Sequence, residues 1–273
     1  MNCPAFCALG SLYDGEKSEN FRQAMQSLFM QSYMVPVILV VDGPIRKELR
    51  TVVDEYKGKI HKIVELTENI GLGPALNAGI ESLAGEFDFI IRYDTDDINE
   101  PNRFEVLIRS IKEWDVDIIG SFITEFYDGD LAKTQVVRRV PKSAESIAHS
   151  IHVRNPFNHP AVAFRITKFE SVCGYEDVPG FEDWYLWAKM LKSDAKALNL
   201  AASLVRFRGG QDMLDRRRGW RYVKREFSFF LLLYKLKLSG RWIIPVILPA
   251  RLLIRFMPSY FLSQLYSKLL RSK

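Results

Sequence analysis

Three cysteines in 273 residues, Cys3, Cys7 and Cys173, are too few and too scattered for a disulfide framework or a metal cage. Cys3 and Cys7 fall on one face of a predicted strand, where core packing in a reducing compartment is expected. The N-terminus, Met1-Asn2-Cys3-Pro4, lacks a basic region followed by an apolar stretch, so no secretory signal is expected and the chain should stay in the cytosol. No run of 18 or more residues is free of charge and proline. Arg241, Pro245, Pro249, Arg251, Arg255 and Pro258 interrupt the apolar C-terminal region, which argues against a spanning helix. Internal repeats and low-complexity linkers are also missing. So are two nucleotide-binding signatures. Gly10-Ser11-Leu12-Tyr13-Asp14-Gly15 does not fit G-x-G-x-x-G, and Gly71-Leu72-Gly73-Pro74-Ala75-Leu76 fails at its last position, which excludes a dinucleotide enzyme. G-x-x-x-x-G-K-[ST] occurs nowhere, which excludes P-loop chemistry.

What is present is an alternation of strand and helix signals over the first 125 residues. Strands are predicted over 5–10, 37–41, 60–66, 87–93 and 117–122, and helices over 20–31, 45–56, 74–83 and 102–113. Phe21, Met25, Leu28 and Phe29 share one helix face. Val37–Val41 is a continuous apolar run, as in a strand covered on both sides. The pattern predicts an α/β fold with a mostly parallel sheet and helices on both faces, with ligands bound beyond the carboxyl ends of the strands. Asp42, Asn69 and Asp94 each follow a predicted strand at that edge. Residues 126–208 are less regular, with a loop at Asn155-Pro156-Phe157-Asn158-His159-Pro160 and a helix starting near Phe181. Residues 209–273 form a basic, then strongly apolar, helical tail. From Val205 onward, 16 Lys and Arg face three acids, so this end carries +13 and the preceding residues −8. An anionic partner is expected for it. Short apolar helices with Lys/Arg and Trp/Tyr borders fit an anionic membrane surface, and packing on the domain or a partner is the alternative.

Asp94-Thr95-Asp96-Asp97 is the most telling segment. Three carboxylates at the mouth of a buried strand repel one another and lose solvation unless a cation is present. A hard divalent ion, Mn²⁺ or Mg²⁺, would remove that penalty and leave positions for substrate phosphates. The other reading is an acidic turn, with Asp97 and Asn99 capping the helix after Pro101.

Val41-Asp42-Gly43, the run from Asn69 to Ile80, Asp94–Asp97 and Glu182-Asp183-Trp184 stand in an order and spacing that resembles inverting family-2 glycosyltransferases of the GT-A fold. The loop at Asn155–Pro160 looks like the subgroup that builds bacterial O-antigen and exopolysaccharide, including amylovoran. The resemblance implies a UDP-sugar donor, with Asp42 accepting from the uracil, Asn69 and Gly71 lining the base and ribose pocket, and Asp94 near the ribose or a metal-bound water. It implies Asp96 as metal ligand with Asp94 beside it, and Asp183 as the base that deprotonates the acceptor hydroxyl. Glu182, Trp184, His159 and Arg217 are possible acceptor or diphosphate contacts; Trp184 and Trp187 either form a sugar-stacking wall together or one of them belongs to the core. The implied acceptor is a saccharide on undecaprenyl diphosphate at the cytoplasmic face of the bacterial inner membrane, with no nucleic-acid partner. A sugar-phosphate nucleotidyltransferase and a non-catalytic binding module using the basic tail are the competing readings.

Overall fold

The computed structural model describes residues 4–127, 136–209 and 219–238, together with 245–246, 248–249, 251 and the backbone of 271–272. Its centre is a parallel sheet of β1 (Phe6–Leu12), β2 (Val37–Val41), β3 (Lys62–Glu65) and β4 (Phe89–Arg92), in the order β3-β2-β1-β4. Helices α1 (Ser18–Leu28), α2 (Lys47–Tyr56) and α3 (Leu72–Glu81) connect these strands. The sheet continues through the antiparallel β8 (Ala163–Arg165) to β6 (Ile118–Tyr127), which pairs with β7 (Val136–Arg138) and with β9 (Ala197–Gly209). After β4, the short β5 (Ile98–Asn99) pairs with β9, and helix α4 (Arg103–Trp114) leads into β6. Three further helices belong to the second half: α5 (Ala144–Ser150), α6 (Ile166–Ser171) and α7 (Glu182–Lys192). The expected mostly parallel α/β sheet is therefore present, with β5, β7 and β8 pairing antiparallel to their neighbours.

Local preference explains the central strands. Every residue of β1, β2 and β4 is buried, as helices on both faces require. β1 runs past the predicted Gly10 because Leu12 still has a partner, Val41. β6 runs past Phe122 because β9 pairs along it as far as Tyr127–Gly209. Paired register aligns the ends of β1, β2 and β3, since Leu12 faces Val41 and Val41 faces Glu65. The residues just beyond those ends therefore share one edge.

A last described helix, α8 (Gly219–Lys235), lies in the basic C-terminal segment. It is packed on α7 rather than hanging free. Phe229 stacks on Phe181 with ring centroids 4.5 Å apart, and Phe229 and Phe230 both meet Trp184. Arg251 closes the joint by pairing with the fully buried Glu226 at 2.7 Å and lying over the Trp184 ring. No helix among the described residues is long and apolar enough to cross a membrane.

Candidate active site

The loop after β2 and the start of α3 are tied together by one carboxylate. Asp42 is buried and accepts from the backbone amides of Ile70 at 2.8 Å and Gly71 at 3.1 Å. The Asn69 side chain donates to the Asp42 carbonyl at 3.2 Å. Two glycines make this closure possible. Gly43 has φ +83°, and a Cβ there would meet the Asn69 nitrogen at 2.5 Å. Gly71 caps α3 at φ +90° with open space where a Cβ would stand. The structure thus brings together Asp42, Asn69 and Gly71 in one hydrogen-bonded turn. Asp42 and Asp94 follow strands on either side of β1, so about 10 Å of sheet edge separates them.

Beyond β4, Asp94, Asp96 and Asp97 each offer an oxygen, and these atoms lie within 4.8 Å of one another. Burial, then the charges of Asp94 and Glu16, push Asp96 up to about 7. Burial, then the charges of Asp96 and Asp94, hold Asp97 well above the usual carboxylate range. Asp97 corrects the capping expectation. Its Oδ1 accepts from the Arg208 amide of β9 at 2.8 Å, its buried Oδ2 has no protein partner, and α4 begins at Arg103 without a side-chain cap. Asn99 also does not cap α4: its side chain contacts Ser27 and accepts from Arg103.

The inner side of this cluster is cationic. Arg92, fully buried on β4, donates to Asp94. Behind it Arg103 donates to the carbonyls of Arg92 at 2.6 Å and Pro160 at 2.8 Å, and burial lowers its pKa to about 9. Arg208 donates through Nε to the Asp96 carbonyl at 2.9 Å and lies over the Phe126 ring. Two observations make the triad fit a hard divalent ion: an orphaned buried carboxylate oxygen, and crowding that these arginines leave unrelieved at Asp96 and Asp97.

Next to the triad opens a cavity of about 490 Å³, which reaches the start of α3 at Leu72 and Gly73, the triad at Asp94, and the second half at Glu182, Asp183 and Trp184. Asp183 sits in the first turn of α7, the end of the helix dipole that favours an anion. Both its oxygens are held: Oδ1 by the Trp184 amide at 2.7 Å, Oδ2 by the Asn155 side-chain amide at 2.6 Å. Asn155 is itself oriented, because its Oδ1 accepts from the Phe157 amide at 3.1 Å. Glu182 accepts from the Gly180 amide at 3.0 Å, and burial raises its pKa. His159 shares a hydrogen bond of 3.0 Å with the Tyr175 hydroxyl, and burial lowers its pKa, which favours the neutral imidazole. Tyr175 is clamped in turn by Asn77 of α3.

Of the two tryptophans, Trp184 lines the cavity with its indole nitrogen donating to the Ile151 carbonyl at 2.7 Å. Trp187 corrects the stacking-wall expectation: it is fully buried against Phe157 and belongs to the core. Arg217 lies outside the described residues. Sequence reasoning missed Arg92, Arg103, Tyr175 and Asn77. Arg92 did carry a signal, as the one basic residue in an apolar strand that leads into the triad.

The architecture is that of the GT-A glycosyltransferases. The mannosyltransferase PcManGT from Pyrobaculum calidifontis, solved in complex with GDP-Man and Mn2+, matches with a TM-score of 0.63 at 14% identity, over 96% of this chain and 73% of that one. Sequence comparison narrows the class. Residues 14–170 match glycosyl transferase family 2, and the chain belongs to that family. It is 35% identical to the amylovoran biosynthesis glycosyltransferase AmsE of Erwinia amylovora, over 96% of this chain and 98% of that protein. It is 33% identical to the UDP-Gal:alpha-D-GlcNAc-diphosphoundecaprenol beta-1,3-galactosyltransferase of Escherichia coli, over 98% and 97%. The chain is a glycosyltransferase, which sets aside the nucleotidyltransferase and binding-module readings.

Proposed function

We propose that this chain transfers a hexose, galactose or glucose, from a UDP-sugar to a GlcNAc or GalNAc residue on undecaprenyl diphosphate, forming a β-linkage in the synthesis of bacterial O-antigen or exopolysaccharide. The observation that carries this reading is the shared cavity: Asp94 of the triad and Asp183 both line it. Asp42, Asn69 and Gly71 form the nucleoside wall, and Asp94 with Asp96 hold Mn²⁺ or Mg²⁺. Lewis-acid stabilisation of the departing diphosphate is what such an ion supplies when bound. Asp183 takes the proton of the acceptor hydroxyl as that oxygen attacks the anomeric carbon, on the face opposite the leaving diphosphate. Glu182 and Trp184 flank the acceptor sugar, and neutral His159 offers it a hydrogen-bonding group. The name of the Escherichia coli relative supports both the donor and the lipid-linked acceptor. The test is incubation with UDP- and GDP-sugars and synthetic GlcNAc- or GalNAc-diphospholipids. Transfer from UDP-galactose or UDP-glucose, lost with EDTA and restored by Mn²⁺, is expected; full activity in EDTA overturns the metal assignment.

Such an acceptor places the enzyme peripherally at the cytoplasmic face of the bacterial inner membrane. The exposed side of α8 supports this, with Arg221, Lys224 and Arg225 beside Trp220 and Phe227. Because the opposite side of α8 covers Phe181 and Trp184, deleting the helix would damage the site, and surface substitution is the cleaner test. Wild type should co-sediment with phosphatidylglycerol-containing vesicles. The combined Trp220→Ser, Arg221→Glu, Lys224→Glu and Arg225→Glu variant should stay in the supernatant. Equal sedimentation of the two refutes the docking role.

A further inference from the structure

The cavity beside Asp183 is lined by more cationic groups than the transfer chemistry requires. Besides the acids Asp94, Glu125, Glu182 and Asp183, its lining includes Arg138, Arg139, Arg154 and Arg251. Two of these arginines are committed to the fold. Arg251 pairs with buried Glu226 at 2.7 Å and donates to the Val153 carbonyl at 2.9 Å. Arg138 faces Glu125 at 3.7 Å and donates to Asn158 at 2.7 Å. Arg139 and Arg154 are exposed at the cavity wall, and neither has a carboxylate partner among the described residues. Arg154 makes one side-chain hydrogen bond, from Nε to the Ser150 hydroxyl at 3.1 Å, which leaves its Nη donors for a ligand.

We propose that Arg139 and Arg154 bind the phosphate groups of the acceptor. The inference rests on the reading of Asp183 as the base. Guanidinium forks match phosphate oxygens in pairs, and a neutral saccharide would need no such wall. Position supports the acceptor rather than the donor as the source of the phosphate. The nucleoside wall and the acidic triad lie along the β2–β1–β4 edge. Arg154, by contrast, is the residue directly before Asn155, whose amide holds Asp183 at 2.6 Å. Consecutive Cα atoms are about 3.8 Å apart, so the phosphate site and the base lie at neighbouring positions. Charge then orients the acceptor: its phosphates are drawn to the two arginines and repelled by the Asp183 carboxylate, which leaves the sugar hydroxyls to meet Asp183.

The test uses the full-length protein and the Arg139→Gln/Arg154→Gln double variant. With a GlcNAc- or GalNAc-diphospholipid as acceptor, the variant should raise KM tenfold or more. With the phosphate-free glycoside of the same sugar, KM should stay within twofold of wild type. Calorimetric affinity for UDP with Mn²⁺ should also be unchanged. A short-chain prenyl diphosphate without sugar, titrated into the UDP- and Mn²⁺-saturated protein, should bind wild type and not the variant, whatever the outcome of the transfer assays. Equal loss with both acceptors, weakened UDP affinity, or unchanged prenyl diphosphate binding each overturns the assignment. Prenyl diphosphate binding that depends on the arginines, without any hexose transfer, would retain the site and sink the proposed reaction.

Discussion

Asp183→Asn leaves the protein folded and lowers sugar transfer by a factor on the order of 10²–10⁴ at saturating substrates, the range of a lost general base. The substitution preserves shape but removes the proton acceptor. Asn155 still finds an oxygen to donate to, because its own orientation is fixed by the Phe157 amide. A carboxamide has one oxygen where the carboxylate has two, so the Trp184 amide loses its partner in the first turn of α7. That costs about 1 kcal/mol of stability, small beside the loss in rate. Thermal melting and steady-state kinetics separate the two effects. A variant that melts slightly lower and turns over near normally would show that Asp183 only starts a helix.

Asp96→Ala should be at least as damaging to transfer and should act oppositely on stability. Removing one carboxylate from a crowded, poorly solvated triad relieves repulsion among the rest, so the metal-free variant should melt no lower than metal-free wild type. Mn²⁺ at a hundredfold excess over its Kd stabilises a protein that binds it by about 2.7 kcal/mol, and the melting temperature of wild type should rise by several degrees. That rise should vanish in the variant. A variant that keeps the Mn²⁺ shift and its activity refutes the choice of Asp96 as ligand. A variant that melts far below wild type would mean that the triad is a structural turn.

The two substitutions also show where the sequence was informative. β2 matched its predicted limits because Val37–Val41 is an unbroken apolar run with no competing helical period. The acidic triad was legible because its residues fall within one four-residue stretch, so the fold had only to place the end of one strand. The division of labour inside it was not legible. Asp97 looked like a cap because the helix signal follows it, yet its partner is the Arg208 amide, brought from 111 residues away by β9. The 13-residue β9 itself was missed because its burial alternates irregularly and its pairing with β6 shifts register near Phe122. Arg103 reads as a surface charge in any one-dimensional pattern, and the signal at Arg92, a cation in an apolar strand, does not say what it pairs with. Their burial follows from the carbonyls and carboxylate that surround them, which only tertiary structure supplies. The two cavity arginines escaped for the same reason: Arg139 and Arg154 lie on opposite sides of α5 in the chain, and only the fold brings both to one cavity.

The central claim is a single displacement, with the diphosphate leaving beside Asp94 and Asp96 while Asp183 deprotonates the attacking hydroxyl from the other side of the sugar. The anomeric configuration of the purified product, read by NMR, tests it most directly. Because UDP-galactose and UDP-glucose carry α-linked sugars, the product must be the β-glycoside. An α-linked product would contradict the account, since retention cannot arise from one displacement with a base opposite the leaving group.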